Sequence, residues 1–202
     1  MSDYADGIAD RYLHAGAEFE RRLRTVRDGQ WELPTPCTEW DVRLLANHMA
    51  RGNLNYAGLV DGGTSAEFLR LRDADALGAD PVGAYVRSVD ACAAAFARPG
   101  ALDQVLDYPL GRISGRQALA VRTADSVIHT WDLARALGAD ETLAPGLVAW
   151  LDGHLDDVYA GLAVAPADRD GRARRFFAPA EGGDHPGASR QDRLLRWMGR
   201  EP

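Results

Sequence analysis

Apolar residues recur along most of the chain at intervals of three and four, the spacing of one face of an α-helix. Ile8, Tyr12, Leu13, Phe19, Leu23 and Val26 predict a first helix over Ser2 to Arg27, ending near Asp28-Gly29. The stretch Trp31 to Cys37 carries Pro34 and Pro36 and reads as a loop. Thr38-Glu39-Trp40-Asp41 opens a second helix, with Thr38 as its cap and acidic residues at the positive dipole end. Val42, Leu45, Met49 and Tyr56 continue it, and Asp61-Gly62-Gly63 stop it. A short helix fits Thr64 to Arg72. Asp80-Pro81 is a cap followed by proline at the first helical position, and that helix runs to about Arg98 before Pro99-Gly100. Residues 101–113 read as irregular or briefly extended, with Pro109 and Gly111 as breakers. Ser114 caps a long helix to Leu137, with Gly138 in the stop position. No segment alternates with the period of a strand.

Four longer helices before residue 140 are enough for a mainly α, up-down four-helix bundle. The reading divides the chain into a bundle over residues 1–138 and a C-terminal extension over 139–202. The extension holds a helix at about 145–162, a loop rich in Pro, Gly, Asp and Arg over 164–188, and a short helix at about 190–198 capped by Ser189.

The chain has 202 residues, about one domain at roughly 150 residues per domain. Its composition, 46% hydrophobic and 26% charged, is that of a globular protein. The formal charge of −7 argues against a nucleic-acid partner and against docking on anionic lipid by bulk charge. No apolar run approaches the ~20 residues of a membrane span, and the acidic start lacks a signal core. Two cysteines, Cys37 and Cys92, make no disulfide framework, so a cytoplasmic protein is expected. All 23 basic residues are arginine; with abundant Ala and Gly this indicates a GC-rich genome.

Two of the five histidines sit mid-helix among apolar residues: His48 in the second helix and His129 in the fourth long one. Asp125 and His129 are four apart, which puts both side chains on one helix face with Cβ atoms about 6 Å apart. A carboxylate and an imidazole so placed can share a divalent ion, and His48 from a facing helix can supply a third ligand. Three protein ligands leave positions open for water or substrate. Asp132 shares the face of His129, and Asp41 shares that of His48; either can accept an imidazole N–H behind the ligands. Without a metal, the same spacing serves a buried Asp–His hydrogen bond, and His48 serves as a satisfied core histidine. Arg87, in an otherwise small and apolar helix, can point inward to hold an anion or lie on the surface paired with Asp90. Cys37 is either activated by the nearby helix dipole or a small buried hydrophobe. His14, His154 and His185 have no ligand-spaced partner and read as solvent-facing.

Three stretches of the chain also carry a family resemblance. Trp31…Pro34-Thr-Pro-Cys37-Thr-Glu-Trp40-Asp-Val42-Arg-Leu-Leu45-Ala-Asn-His48, with Gly52-Asn53 after it, resembles the start of the second helix in the mycothiol-dependent maleylpyruvate isomerase-like family. That family belongs to the DinB-like metal-binding four-helix bundles. Asp125-Ser-Val-Ile-His129-Thr-Trp131-Asp132-Leu-Ala-Arg135-Ala-Leu-Gly138 is similar to its second signature. Gln191-Asp-Arg193-Leu-Leu195-Arg-Trp-Met-Gly199-Arg200-Glu-Pro202 resembles the ending of its shorter, single-domain branch.

The resemblance implies a metal triad of His48, Asp125 and His129. It implies zinc, while nickel, iron and manganese also suit one carboxylate and two imidazoles. It further implies a low-molecular-weight thiol, mycothiol in actinobacteria, as co-substrate, and a small electrophile as substrate. A bound metal would lower the thiol pKa, and the thiolate would add to the electrophile, giving S-transfer or a reversible addition that isomerises a double bond. In this picture Arg87 is the catalytic candidate for holding a substrate carboxylate. Only about sixty residues follow Gly138, against a sizeable second domain in the isomerase, which favours a transferase or pathway-specific enzyme over maleylpyruvate isomerisation. The alternatives are a non-catalytic bundle that binds a metal or small molecule, and a metal-dependent hydrolase using bound water.

Overall fold

A computed structural model describes residues 3–162 and 187–202. The four long helices are α1 (Ile8–Leu23), α2 (Val42–Val60), α4 (Pro81–Phe96) and α5 (Gly115–Leu137). The short α3 (Ser65–Leu71) follows α2, and a two-stranded hairpin, β1 (Val105–Tyr108) and β2 (Gly111–Ser114), precedes α5. After the bundle come α6 (Pro145–Val158) and α7 (Arg190–Trp197). Helix α1 packs on α4 and α5, and α2 packs on the same two, so the four close a ring in the order α1, α4, α2, α5. None of the described helices is long and apolar enough to cross a membrane.

Local chemistry sets most of the boundaries. Asp80 accepts the Gly83 N–H and Pro81 fills the first turn of α4. Ser114 accepts the Gln117 N–H at the start of α5. Ser189 and Asp192 form a reciprocal capping box on α7, as Thr64 and Glu67 do on α3. Three expectations are corrected. Helix α1 is shorter than read, because a 3-10 turn over Asp3–Ala5 precedes it and it ends at Leu23. The cap of α2 is Asp41, which accepts the Leu44 N–H at 2.7 Å, not Thr38. Residues 105–114 form the hairpin, paired from Val105↔Ser114 to Tyr108↔Gly111. Strands of four residues show too few alternations to register as a pattern. Burial of Leu106, Tyr108 and Ile113 against the helices stabilises them instead.

Helix α5 is the central element. Buried residues lie all around it between Gly115 and Ala134, so it has no polar face. Its hydroxyls are satisfied locally: Thr123, Ser126 and Thr130 each donate to the carbonyl four residues before.

The segments beyond residue 138 share this core. Leu147, Trp150 and Leu151 of α6 and Leu194, Leu195 and Met198 at α7 belong to the same buried cluster as Trp131 of α5. Trp150 donates its indole N–H to the Tyr4 carbonyl, and Arg22 of α1 donates to the Thr142 carbonyl. Most of the predicted 164–188 loop and His185 lie outside the described residues.

Leu151 is fully buried, so Leu151→Ala is expected to lower the unfolding free energy by about 2–5 kcal/mol in a single transition under urea. A loss below about 1 kcal/mol, or a separate early transition, would show that α6 is an appendage and not part of the core.

Candidate metal centre

The central part of α5 and the middle of α2 bring three side chains to one point. Asp125 lies between two imidazoles: His48 Nε2 is 3.2 Å from its Oδ2, and His129 Nε2 is 3.1 Å from its Oδ1. One ligand atom from each of His48, Asp125 and His129 lies within 4.8 Å of the others. Side-chain exposures of 26% for His48 and 20% for Asp125, against 5% for His129, show that the group opens to solvent on one side. Metal–ligand bonds of about 2.1 Å at tetrahedral angles would separate donor atoms by about 3.4 Å, close to the two N···O distances here. The donor set and spacing therefore fit a divalent ion.

Two of the three are held from behind. Asp132, fully buried on α5, lies 2.8 Å from His129 Nδ1, as its position one turn on from His129 suggested. With Nδ1–H donating to this carboxylate, Nε2 is the nitrogen turned toward Asp125. Behind Asp125 stands Arg122, a fully buried guanidinium, and its NH1 donates to Asp125 Oδ2. Its Nε donates to Asn53 Oδ1 at 2.7 Å and its NH2 to the Met49 carbonyl at 2.8 Å. Gly52 makes this possible, since a Cβ there would stand 2.6 Å from Arg122 NH1. The sequence reading missed Arg122; its signal was an arginine three residues before Asp125 on a helix with no polar face.

The loop before α2 forms one wall. Thr35 Oγ1 donates to the Trp40 carbonyl and accepts the Cys37 N–H, folding residues 35–40 into a tight turn. The turn lays the Trp40 ring against His48, with centroids 4.5 Å apart, and near His129 at 5.8 Å. It also sets Cys37 Sγ 3.4 Å from Asp132 Oδ2 and 3.9 Å from His129 Nδ1. Cys37, His129 and Asp132 thus form a second group with metal-ligand spacing. Both Asp132 oxygens, however, already accept from the Arg200 guanidinium, at 2.9 and 2.7 Å, which leaves that group less suited to a cation.

Two expected site residues fall elsewhere. Arg87 is exposed and pairs with Asp80 at 3.3 Å, so it neither points inward nor bonds Asp90. An outward position on α4 removes it from the reacting groups. Asp41 spends its carboxylate on the α2 cap and holds no imidazole. His14 is exposed as expected, while His154 is half-buried with Nδ1 2.8 Å from the Trp150 carbonyl.

The electrostatics follow from burial and pairing. Burial favours the neutral form of His48 and lowers its pKa, and attraction from Asp125 offsets this only in part. Burial acts the same way on His129, but Asp125 and Asp132 outweigh it and hold its pKa well above the ordinary imidazole value. Burial would raise the Asp125 carboxyl, yet His129, His48 and Arg122 hold it well below the usual range. Asp132 is likewise lowered, with Arg200 and His129 overcoming burial.

Comparison with known proteins fits this architecture. Residues 12–134 match the family model described as the mycothiol maleylpyruvate isomerase N-terminal domain, and the chain belongs to that family. Two uncharacterized proteins of Mycobacterium tuberculosis, MT0763 and Rv0738, are each 32% identical over 129 residues, 64% of this chain and 66% of theirs. The match thus spans just under two thirds of those relatives' length. The crystal structure of the mycothiol-dependent maleylpyruvate isomerase superposes with a TM-score of 0.58 at 15% identity, and that of a point mutant with 0.61 at 14%. Each superposition covers 77% of this chain and 72% of the other, and they establish a shared fold.

Two measurements check the site. In metal-free protein, NMR titration is expected to show His48 losing its proton below about pH 6.5 and His129 well above it. The opposite order would mean that Asp125 and Asp132 do not dominate at His129. Gly52→Ala is expected to cost about 1–3 kcal/mol of stability, because the buried Arg122 guanidinium is held by three partners and cannot step aside. Urea unfolding reads this directly.

Proposed function

We propose that His48, Asp125 and His129 hold a divalent metal, with zinc first and nickel, iron or manganese as chemically compatible occupants. On that basis the protein is a metal-dependent enzyme using a mycothiol-type thiol for S-transfer or isomerisation on a small electrophile. The observation carrying this reading is the convergence of two imidazoles and one carboxylate, open on one side, within a fold shared with a mycothiol-dependent enzyme.

The charge around the site supports an anionic thiolate. The carboxylates of Asp125 and Asp132 are matched by the guanidiniums of Arg122 and Arg200, so the charge of a bound cation stays uncompensated. A divalent ion supplies one thing here: it lowers the pKa of a thiol so that the nucleophile exists at neutral pH. The chain's own residues do the rest. Asp132 holds His129 in one tautomer by accepting its Nδ1–H. Arg122 keeps Asp125 ionised and limits its rotation. Trp40 covers one face of His48 and reduces water access from the loop side. The half-exposed edges of His48 and Asp125 are where the thiol and electrophile would meet.

Metal analysis of purified protein is expected to find about one divalent ion per chain in wild type, and a loss of it in His129→Ala and Asp125→Asn. Absence of stoichiometric metal from wild type overturns the reading. Mass spectrometry of reactions with mycothiol and a panel of electrophiles is expected to detect conjugates or isomerised product only when thiol is present. Turnover without thiol would instead identify a hydrolase, and metal without any turnover a binding module. Metal affinity is also expected to rise with pH through neutrality and to vanish near pH 4. The proton that Asp125 and Asp132 hold on His129 must leave before Nε2 can bind a cation. Unchanged metal content at pH 4 would show that these are not the ligands.

A further inference from the structure

The site receives a side chain from well outside the segment that the family model covers. Arg200 follows α7, and its guanidinium grips the Asp132 carboxylate with two hydrogen bonds, Nε to Oδ1 at 2.9 Å and NH2 to Oδ2 at 2.7 Å. Side-on pairing of this kind fixes the plane of a carboxylate as well as its position. Asp132 is the acceptor of His129 Nδ1, so the plane of Asp132 sets the rotation of the His129 ring. NH2 of Arg200 also lies 3.4 Å from Cys37 Sγ, and NH1 donates to the Met198 carbonyl at 3.1 Å.

The arm that carries Arg200 is built to hold it still. Leu194, Leu195 and Met198 are buried in the main core. Gln191 ties α7 to the chain after α5, donating to the Glu141 carbonyl and accepting the Leu143 N–H. The turn after α7 uses Gly199 at φ 73°, a conformation glycine adopts without strain, and the Arg200 N–H then closes on the Leu195 carbonyl at 2.8 Å. Each feature removes freedom from Arg200 before it meets Asp132.

We infer that Arg200 is a positioning residue of the metal centre, acting through Asp132 to aim His129 Nε2 at the cation. The inference rests on the metal reading of His48, Asp125 and His129. It assigns the segment after α7 a part in the site: α2 and α5 supply the ligands, and the arm of α7 supplies the clamp that orients one of them. Partners one step removed from a ligand typically change metal affinity about 10- to 100-fold when removed.

The test uses the full chain in four forms: wild type, Arg200→Ala, Arg200→Lys and Arg193→Ala. The last removes from α7 an exposed partner of Asp152 and serves as the control. Cobalt(II) is titrated into each and followed by its visible absorption. Arg200→Ala is expected to bind cobalt about 10- to 100-fold more weakly than wild type, with an altered spectrum. Arg200→Lys is expected to fall between, because an ammonium restores the charge but not the fork, and Arg193→Ala to match wild type. In parallel, the imidazole 15N–1H signals of the metal-free proteins are compared. The slowly exchanging Nδ1–H of His129 is expected in wild type and lost in Arg200→Ala.

Equal cobalt affinity and an intact His129 N–H signal in Arg200→Ala would overturn the assignment. Should Arg200→Ala not fold, Arg200→Lys decides, and an affinity equal to wild type overturns it. Failure of wild type to bind cobalt would sink the metal reading instead, and the His129 signal would still decide whether Arg200 orients that ring.

Discussion

Helix α5 is buried on every side and still carries a guanidinium, an imidazole and two carboxylates between Arg122 and Asp132. An isolated charge in such surroundings is costly, so every one of these groups needs a partner brought by another element. That requirement organises the fold. Helix α2 brings His48, Asn53 and the Met49 carbonyl, the loop before it brings Cys37, and the arm after α7 brings Arg200. Three separate parts of the chain thus converge on one stretch of α5 because its charges must be met there.

The result is a chain of contacts running from Arg200 through Asp132, His129 and Asp125 to Arg122. Positive and negative groups alternate along it, and the two ends are guanidiniums anchored by further bonds. Only the middle is open to solvent, at the edges of Asp125 and His48. Such an arrangement holds its central donors in place from both ends while leaving one edge of Asp125 and His48 open to solvent.

How far this was legible in the sequence differs by element. Capping residues and prolines marked α4, α5 and α7 closely, since these signals act within a few residues of the helix start. The spacing of Asp125 and His129 on one helix was equally local, and their shared face followed from it. The hairpin was legible only as a segment either irregular or briefly extended, because its strands are stable through burial of Leu106, Tyr108 and Ile113 against other elements. Asp41 was misread as a partner of His48 because a spacing of seven assumes that it lies inside the helix, whereas it is the extended N-cap and its carboxylate accepts the Leu44 N–H. Arg87 was misassigned because an arginine among small residues reads the same whether its helix face turns inward or outward.

The sequence by itself determined the helical class, the order of the long helices and the identity of the His, Asp and His that share one region. Each of these depends on residues close together in the chain or on a pattern repeated along it. Only the tertiary structure decided which charges back them. Arg122 acts because α2 leaves it room at Gly52, and Arg200 because α7 docks its arm 68 residues beyond Asp132. Pairings across such separations come from packing of whole elements against a common core, and no local spacing encodes them.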